Sequence, residues 1–498
     1  MNKKYTLDPN KLFKNYDEVN IYVDKIFQDI EKTILDLDKK LNIENVEEIN
    51  KIYREKYNCF LKNLEKVEAY AILSNDLNIN DLDIAKLNNN LELKIRKIKI
   101  KLFEFGKKLS KLRKKEEQDN EIEISENTDY RYLNEKIIKF NRLAKTLREK
   151  EINARNVDEL NKNLSNYIEI YKIYTKNIDE YSNILSDISI EKLKEEIEKA
   201  FDEENILKIR KIKKEIYKEK NKFLKEFNLH KDSDTDFDIE ENFNKVKRDI
   251  ILALNKYEKK YVDELTKILE GNNIDYFKRK NKVNTVKTIT KYEGYIYLQN
   301  DINKEIERRS LIHELSHLIR YRLYNVSFKN ENILMEETLA ILNEFLLLDY
   351  LLNKKDKSDH DFIEINEIKE SMLSKIFDTV ECFLLQNYII DKIKNDKDIQ
   401  NSEVIQKRKE LLKKFKYINE KNEQNYDKRR IYYFVTTYSY LKPYYSLTYL
   451  LGVLIAFNIF KEIKLKKQVF IEEILDHFNK DIKNISINLK GVLNYLIK

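Results

Sequence analysis

Hydrophobic and polar residues follow the period of an α-helix through most of the chain. Apolar positions recur every three or four residues between Tyr16 and Glu117, and the pattern resumes from Tyr130 to Asn228 and from Ile239 to Leu269. Short polar breaks separate these segments. The pattern predicts long amphipathic helices, arranged at least in the first segment as helical hairpins, and a single helix over Ile239–Leu269.

The pattern changes near the middle of the chain. From Lys282 to Leu298, β-branched and aromatic residues alternate with polar ones on either side of Glu293-Gly294, which predicts a β-hairpin or two adjacent strands. Directly afterwards, Asp301 and Asn303 are candidate N-caps for a helix that continues through Ile319. The chain is therefore expected to be mostly α, with one small sheet that leads into a helix.

Glycine and proline are too rare for a fold built from tight turns. The chain has 498 residues but only 5 Gly and 2 Pro, which argues against sandwiches, barrels and Gly-rich nucleotide-binding folds. The polar stretch Glu116–Thr128 is the best candidate boundary, although it could be a simple loop. We predict an amino-terminal helical lobe at residues 1–125 and a second domain at residues 126–498.

Charge and cysteine content point to a cytoplasmic protein. Lys and Arg (95) exceed Asp and Glu (88) by 7, and basic stretches such as Lys208–Lys222 have the apolar spacing of solvated helix faces, so no nucleic-acid partner is expected. The longest apolar run, Tyr449–Phe460, is too short to span a bilayer and predicts a buried helix. Cys59 and Cys382 are the only cysteines, as expected in a reducing compartment.

The predicted helix after the strands contains an HExxH motif, His313-Glu314-Leu315-Ser316-His317. Residues four apart on a helix lie one turn above each other, so both imidazoles can bind one Zn²⁺ while Glu314 lies beside its open coordination position. The alternative is an exposed His pair that flanks a salt-bridged Glu. Leu311 and Leu318 favour the metal site, because their apolar character predicts burial, where two unligated imidazoles would be costly.

A catalytic zinc needs a third protein ligand, and the next apolar helix offers it. This segment, Asn332–Leu352, contains Glu336, Glu337 and Glu344. Glu337 is the predicted ligand, and Glu344 lies two turns further along the same face, where it could orient an imidazole by a hydrogen bond. For Glu344 the alternative is an ion pair with a Lys or Arg. Glu336 is rotated by about 100° and is expected at the edge.

Two runs, Tyr295–His317 and Met335–Leu352, resemble the thimet oligopeptidase and oligoendopeptidase F group of zinc metallopeptidases, peptidase family M3. The likeness continues through Ile368–Ile393 and Tyr433–Phe460. Before residue 280 it rests only on the helical periodicity of apolar residues. The resemblance implies a zincin-type, mostly helical fold with a small sheet beside the HExxH helix. It also implies an amino-terminal lobe over a deep channel that admits only short unstructured peptides.

The family also has tyrosines, and usually a histidine, that face the substrate carbonyl from a late aromatic segment. Tyr445 and Tyr449 match the family's tyrosines best, and Tyr444 lies where that pattern allows an aromatic residue, which implies contact with substrate. No histidine occurs here, and Tyr438 or Ser439 occupies its place. A phenol can donate to an oxyanion as an imidazole does. Core packing is the alternative for each tyrosine.

These features together predict a monomeric oligoendopeptidase with one zinc ion. Glu314 would take a proton from the attacking water and deliver it to the leaving amine. The strand that contains Thr285 and Thr288 could bind an extended peptide by pairing with its backbone. Two other functions stay open: a protease with one protein or leader-peptide substrate, and a catalytically weak helical binding protein that retains zinc.

Overall fold

Helices dominate the described part of the chain, as the pattern predicted. The structure is a computed structural model, and it describes residues 12–42, 45–77, 82–117, 140, 157–176, 190–230, 239–271, 273–277, 285–290, 293–300, 306–324, 333–395, 399–415, 446–474 and 489–497. The chain forms two compact units, the first Met1–Glu123 with Phe237–Ile251 and Lys260–Lys329, the second Ile124–Asp236 with Leu252–Lys259 and Asn330–Lys498. The predicted boundary between residues 125 and 126 stays a prediction.

The first unit starts with three mutually packed helices, α1 (Tyr16–Lys40), α2 (Val46–Leu77) and α3 (Leu82–Glu117). Asn15 begins α1, because its side-chain oxygen accepts a hydrogen bond from the Glu18 amide at 3.0 Å. The apolar stripes predicted from the sequence are buried between these helices. The predicted hairpins are therefore confirmed.

A ladder of ion pairs joins α1 to α3. Each step moves seven residues along both helices, so the two helices run parallel and in register. The pairs are Lys94–Asp24 at 2.8 Å, Lys101–Glu31 and Lys108–Asp38. Their side chains are largely exposed, so each pair contributes little free energy and their effect is to favour one register.

The segment that was predicted as one helix from Ile239 to Leu269 forms two, α7 (Ile239–Ala253) and α8 (Lys259–Glu270). The backbone between them pairs with a distant strand-like segment: the Glu258 amide donates to the carbonyl of Val469 at 2.9 Å, and the Val469 amide donates to Lys256 at 2.7 Å. The carbonyl of Lys256 and the amide of Glu258 thus form hydrogen bonds with Val469 and not within a helix. The prediction of one continuous helix is wrong.

Three strands form a small sheet in the first unit, β1 (Ile274–Phe277), β2 (Thr285–Thr290) and β3 (Glu293–Asn300), in the order β1-β3-β2. β2 pairs antiparallel with β3, which confirms the predicted hairpin. Glu293 and Gly294 start β3, however, and do not form its turn. The parallel strand β1 was not predicted, because four residues are too few to show alternation.

The helix with the HExxH motif, α9 (Arg308–Tyr324), contacts both β2 and β3. It begins later than predicted, since Ile306 and Glu307 precede it in non-helical backbone. The Glu307 carboxylate accepts the Ser310 hydroxyl at 2.7 Å, and its carbonyl accepts the Leu311 amide at 3.3 Å. Glu307 therefore provides the interactions of a helix start. The predicted caps, Asp301 and Asn303, lie outside the described residues.

The second unit is helical in its described part. Its helices are α4 (Val157–Lys176), α5 (Ile190–Ala200), α6 (Glu203–His230), α10 (Ile333–Asn353), α11 (Asp359–Lys394), α12 (Asn401–Phe415), α13 (Leu447–Ile463) and α14 (Leu489–Ile497). The long helix α11 contacts α4, α6, α10, α12 and α13, and so forms the centre of this unit. The apolar run in α13 is buried, as predicted. None of the described helices has the length and apolar character of a membrane span.

The predicted fold class is confirmed: the protein is mostly α, with a small sheet beside the HExxH helix. The deep channel stays a prediction.

Candidate metal centre

The apolar residues around the HExxH motif fix the position of α9. Leu311, Ile312, Leu315, Leu318 and Ile319 are fully buried. The helix covers β2 and β3 in the same unit. These apolar side chains lie on one face of α9, about a third of its circumference. Ser310, Ser316 and Arg320 on its other sides are buried as well, so α9 is a core helix. The two imidazoles are half-buried and Glu314 is 8% exposed.

His313 and His317 approach each other closely, one turn apart on α9. Their Nε2 atoms are 3.4 Å apart, and the ring planes meet at 82°. Two nitrogens that bind one tetrahedral zinc at about 2.0–2.1 Å lie about 3.3–3.4 Å from each other. The observed separation fits that requirement. A separation of 3.4 Å is also compatible with a hydrogen bond between the two rings. A third potential ligand is therefore needed to distinguish a metal site from such a pair.

That third group is Glu337, in the first turn of α10. One potential ligand atom from each of His313, His317 and Glu337 lies within 4.8 Å of the other two. Among the described residues this is the only cluster of three or more His, Cys, Asp or Glu side chains that could hold a metal. Two imidazole nitrogens and one carboxylate oxygen are the donor set of a catalytic zinc. The residues therefore fit the metal.

Helix α7 anchors the start of α9 through two buried contacts that the sequence did not reveal. Asp249 accepts from the Arg308 guanidinium at 2.5 Å, and their side chains are 0% and 1% exposed. Asn242 accepts the Ile306 amide at 3.1 Å. These partners are 59 and 64 residues apart in sequence, so no local pattern links them. Together they fix where the backbone enters the HExxH helix.

Helix α8 holds the other end of α9. Arg322, in the last turn, donates to the Glu264 carboxylate at 3.0 Å, and both side chains are largely buried. The HExxH helix is thus held at its start by α7 and at its end by α8. The contacting residues Asn242, Asp249 and Glu264 all lie in the same unit as the helix.

Glu344 is fully buried on α10, and its Oε1 accepts from the Lys375 ammonium of α11 at 2.7 Å. An ion pair with a Lys or Arg was the alternative role predicted for Glu344 from the sequence. Because the pair joins α10 to α11, it helps to fix the helix that carries Glu337. The predicted role of Glu344 in orienting an imidazole stays a prediction.

The predicted substrate-facing residues are only partly described. Tyr449 lies in the first turn of α13 and is partly exposed, and its amide donates to the Ser446 carbonyl at 3.1 Å. The other tyrosines, Tyr438, Tyr444 and Tyr445, lie outside the described residues. Thr285 and Thr288 belong to β2, an edge strand that also contacts α2. The roles of all these residues in substrate binding stay predictions.

Two solved structures share this fold. One is a Chlamydophila abortus protein described as a peptidase, with 12% identity and a TM-score of 0.60, covering 100% of this chain and 98% of that one. The other is PZ peptidase A with an inhibitor, with 11% identity and a TM-score of 0.55, covering 95% and 97%. No family model matches the sequence, and no curated protein matches it. At such low identity the likeness establishes the fold alone.

Proposed function

We propose that the protein is a zinc-dependent endopeptidase of the oligopeptidase type, similar to peptidase family M3, which hydrolyses short unstructured peptides. The convergence of His313, His317 and Glu337, with Glu314 on the same helix as the two imidazoles, carries this proposal. The shared fold with two peptidases supports it.

One Zn²⁺ would be held by the two imidazoles and the Glu337 carboxylate. The chemistry that a bound zinc supplies is polarisation of the scissile carbonyl and acidification of a water molecule. Glu314 then works as the proton carrier: its carboxylate takes a proton from the attacking water and delivers it to the leaving amine nitrogen. A purely structural metal site has no need of Glu314, which favours an enzyme over a binding protein.

Phenol groups would stabilise the negative charge that develops on the substrate carbonyl. Tyr449 is the described candidate, and its place at the start of a rigid, buried helix suits a fixed hydrogen-bond donor. Tyr445 and Tyr438 are the further candidates from the same segment. Each would donate its hydroxyl proton to the oxyanion, which is a role that the missing histidine would otherwise fill.

Substrate would bind as an extended chain beside the sheet. The edge strand β2, with Thr285 and Thr288, can pair with a peptide backbone, and such pairing depends little on side chains. Tyr444 would add an aromatic contact. We therefore expect broad sequence tolerance and a preference for peptides without stable structure. Cytoplasmic location and a monomeric state are part of the same proposal.

A library of unstructured peptides of graded length tests this function. We expect the zinc-loaded protein to cut many of those shorter than about twenty residues at internal bonds, since an unfolded backbone is what edge pairing can bind. Mass spectrometry of the products measures this. Removal of single residues from the carboxyl terminus alone would refute endopeptidase activity. Failure to cut any peptide, with zinc bound, would refute the general oligopeptidase and favour a dedicated protein substrate.

A further inference from the structure

Gly452 lies where α13 crosses α10, and the two backbones come close together there. A Cβ atom at Gly452 would lie 3.0 Å from Cδ1 of Ile341, 3.6 Å from the amide nitrogen of Thr338 and 3.7 Å from the carbonyl carbon of Glu337. The last two atoms form the peptide bond that follows Glu337. The backbone of α13 therefore rests almost directly on the backbone of the proposed metal ligand.

The backbone conformation does not require glycine here, because φ at Gly452 is not in the left-handed region. Space is the reason instead. Gly452 is buried, and α10 and α13 form the most extensive helix pair of the described residues. A side chain at residue 452 would have to displace Ile341 or push the two helices apart.

The surroundings of the crossing leave little room for such a shift. Ile341 is fully buried and Thr338 is almost so. One turn after Ile341, the ring of Phe345 packs against Phe457 and Phe460 of α13, with ring centroids 5.5 and 5.6 Å apart. Close-packed interiors of this kind respond to added volume by moving backbone rather than by absorbing it.

Tyr449 lies three residues before Gly452, so the two are neighbours on the surface of α13, about 60° apart around its axis. A change in the distance between α13 and α10 at Gly452 would therefore also change the spacing between the backbones at Tyr449 and Glu337. Both residues lie in the second unit.

We propose that Gly452 is a positioning residue: by having no side chain, it sets the spacing between the zinc ligand Glu337 and the oxyanion donor Tyr449. This inference rests on the proposed function. It predicts that volume added at residue 452 weakens zinc binding and lowers kcat, in proportion to its size, while the apo fold stays intact.

A graded series of variants tests the inference. Gly452→Ala should leave the apo protein folded, because the helix propensity of alanine offsets part of the strain from the added methyl group, yet weaken zinc binding about threefold. Gly452→Val should weaken zinc binding at least tenfold, since groups that orient metal ligands typically affect affinity about 10–100-fold. Adding Ile341→Val to Gly452→Ala should restore affinity, because it deletes the Cδ1 atom that the new methyl group meets. Zinc affinity is measured by competition with a chelator.

Two control variants separate positioning from general packing damage. Ala456→Val adds volume at a buried residue one turn further along α13 and should lower stability with less than a twofold change in zinc affinity. Tyr449→Phe should lower kcat without affecting zinc affinity.

The inference is overturned if Gly452→Val folds and binds zinc like the wild type, or if Ala456→Val weakens zinc binding equally. If Gly452→Val does not fold, Gly452→Ala and the double variant Gly452→Ala with Ile341→Val decide. The inference is overturned if Gly452→Ala binds zinc like the wild type, or if adding Ile341→Val does not restore its affinity.

The proposed function is tested separately by the wild type. If the wild type binds zinc and cuts peptides while the Gly452 variants bind zinc like the wild type, the inference fails and the proposed function stands. A wild type that does neither overturns both.

Discussion

Glu314→Gln is expected to remove nearly all peptide hydrolysis while the protein still binds zinc. The amide has the size of the carboxylate but cannot accept the proton of the attacking water, and general acid–base catalysis contributes about 10²–10⁴-fold to rate. We therefore expect kcat to fall at least about 10²-fold, with little change in KM. An internally quenched fluorescent peptide measures the rate, and elemental analysis measures the zinc content.

Glu336→Gln provides the matched control. It makes the same chemical change next to the proposed ligand Glu337, on a carboxylate that is only partly buried. Its kcat should stay within about twofold of the wild type. If Glu314→Gln retained a tenth of the activity or more, Glu314 would not be the proton carrier. If that variant lost its zinc, the drop in rate would say nothing about proton transfer.

Asp249→Ala is expected to lower the free energy of unfolding by about 3–5 kcal/mol. Arg308 is 1% exposed and donates to Asp249 at 2.5 Å, so removal of the carboxylate leaves a buried guanidinium without its main counter-charge. The effect should concentrate at the start of α9, where Arg308 is the first helical residue. Urea denaturation measures the free energy, and hydrogen exchange of the α9 amides locates the change.

A double variant and an exposed pair serve as controls. Asp249→Leu with Arg308→Met removes both charges and should recover most of the lost stability, because no unpaired charge stays buried. Lys94→Met breaks the exposed pair with Asp24 and should cost less than about 1 kcal/mol. A cost below 1 kcal/mol for Asp249→Ala would contradict the role of this pair in anchoring the HExxH helix.

Local periodicity predicted the elements that local interactions determine. The stripes of α1, the buried run in α13 and the pairing of β2 with β3 all follow from the spacing of apolar residues. The break between α7 and α8 depends instead on the pairing of Glu258 and Lys256 with Val469, more than two hundred residues away. The spacing of apolar residues that are close in sequence carries no information about such a long-range contact.

In the candidate site, too, some features follow from local sequence and others depend on distant contacts. The geometry of His313 and His317 follows from one helical turn, and their Nε2 atoms are indeed 3.4 Å apart. Glu337 could be predicted as a candidate ligand because few carboxylates interrupt so apolar a helix. The partners that fix these residues, such as Asp249 for the start of α9, come from distant parts of the chain. Their types are ordinary for a helix surface, so only the folded structure shows that they are buried.

Titration of zinc into chelator-stripped protein, with peptide hydrolysis recorded at each step, tests the proposed function most directly. Hydrolysis should be absent from the metal-free protein and rise linearly to a plateau at one equivalent of zinc, because one set of two imidazoles and one carboxylate binds one ion. Full hydrolysis without metal, or none with one zinc bound, would contradict the zinc endopeptidase proposed from His313, Glu314, His317 and Glu337.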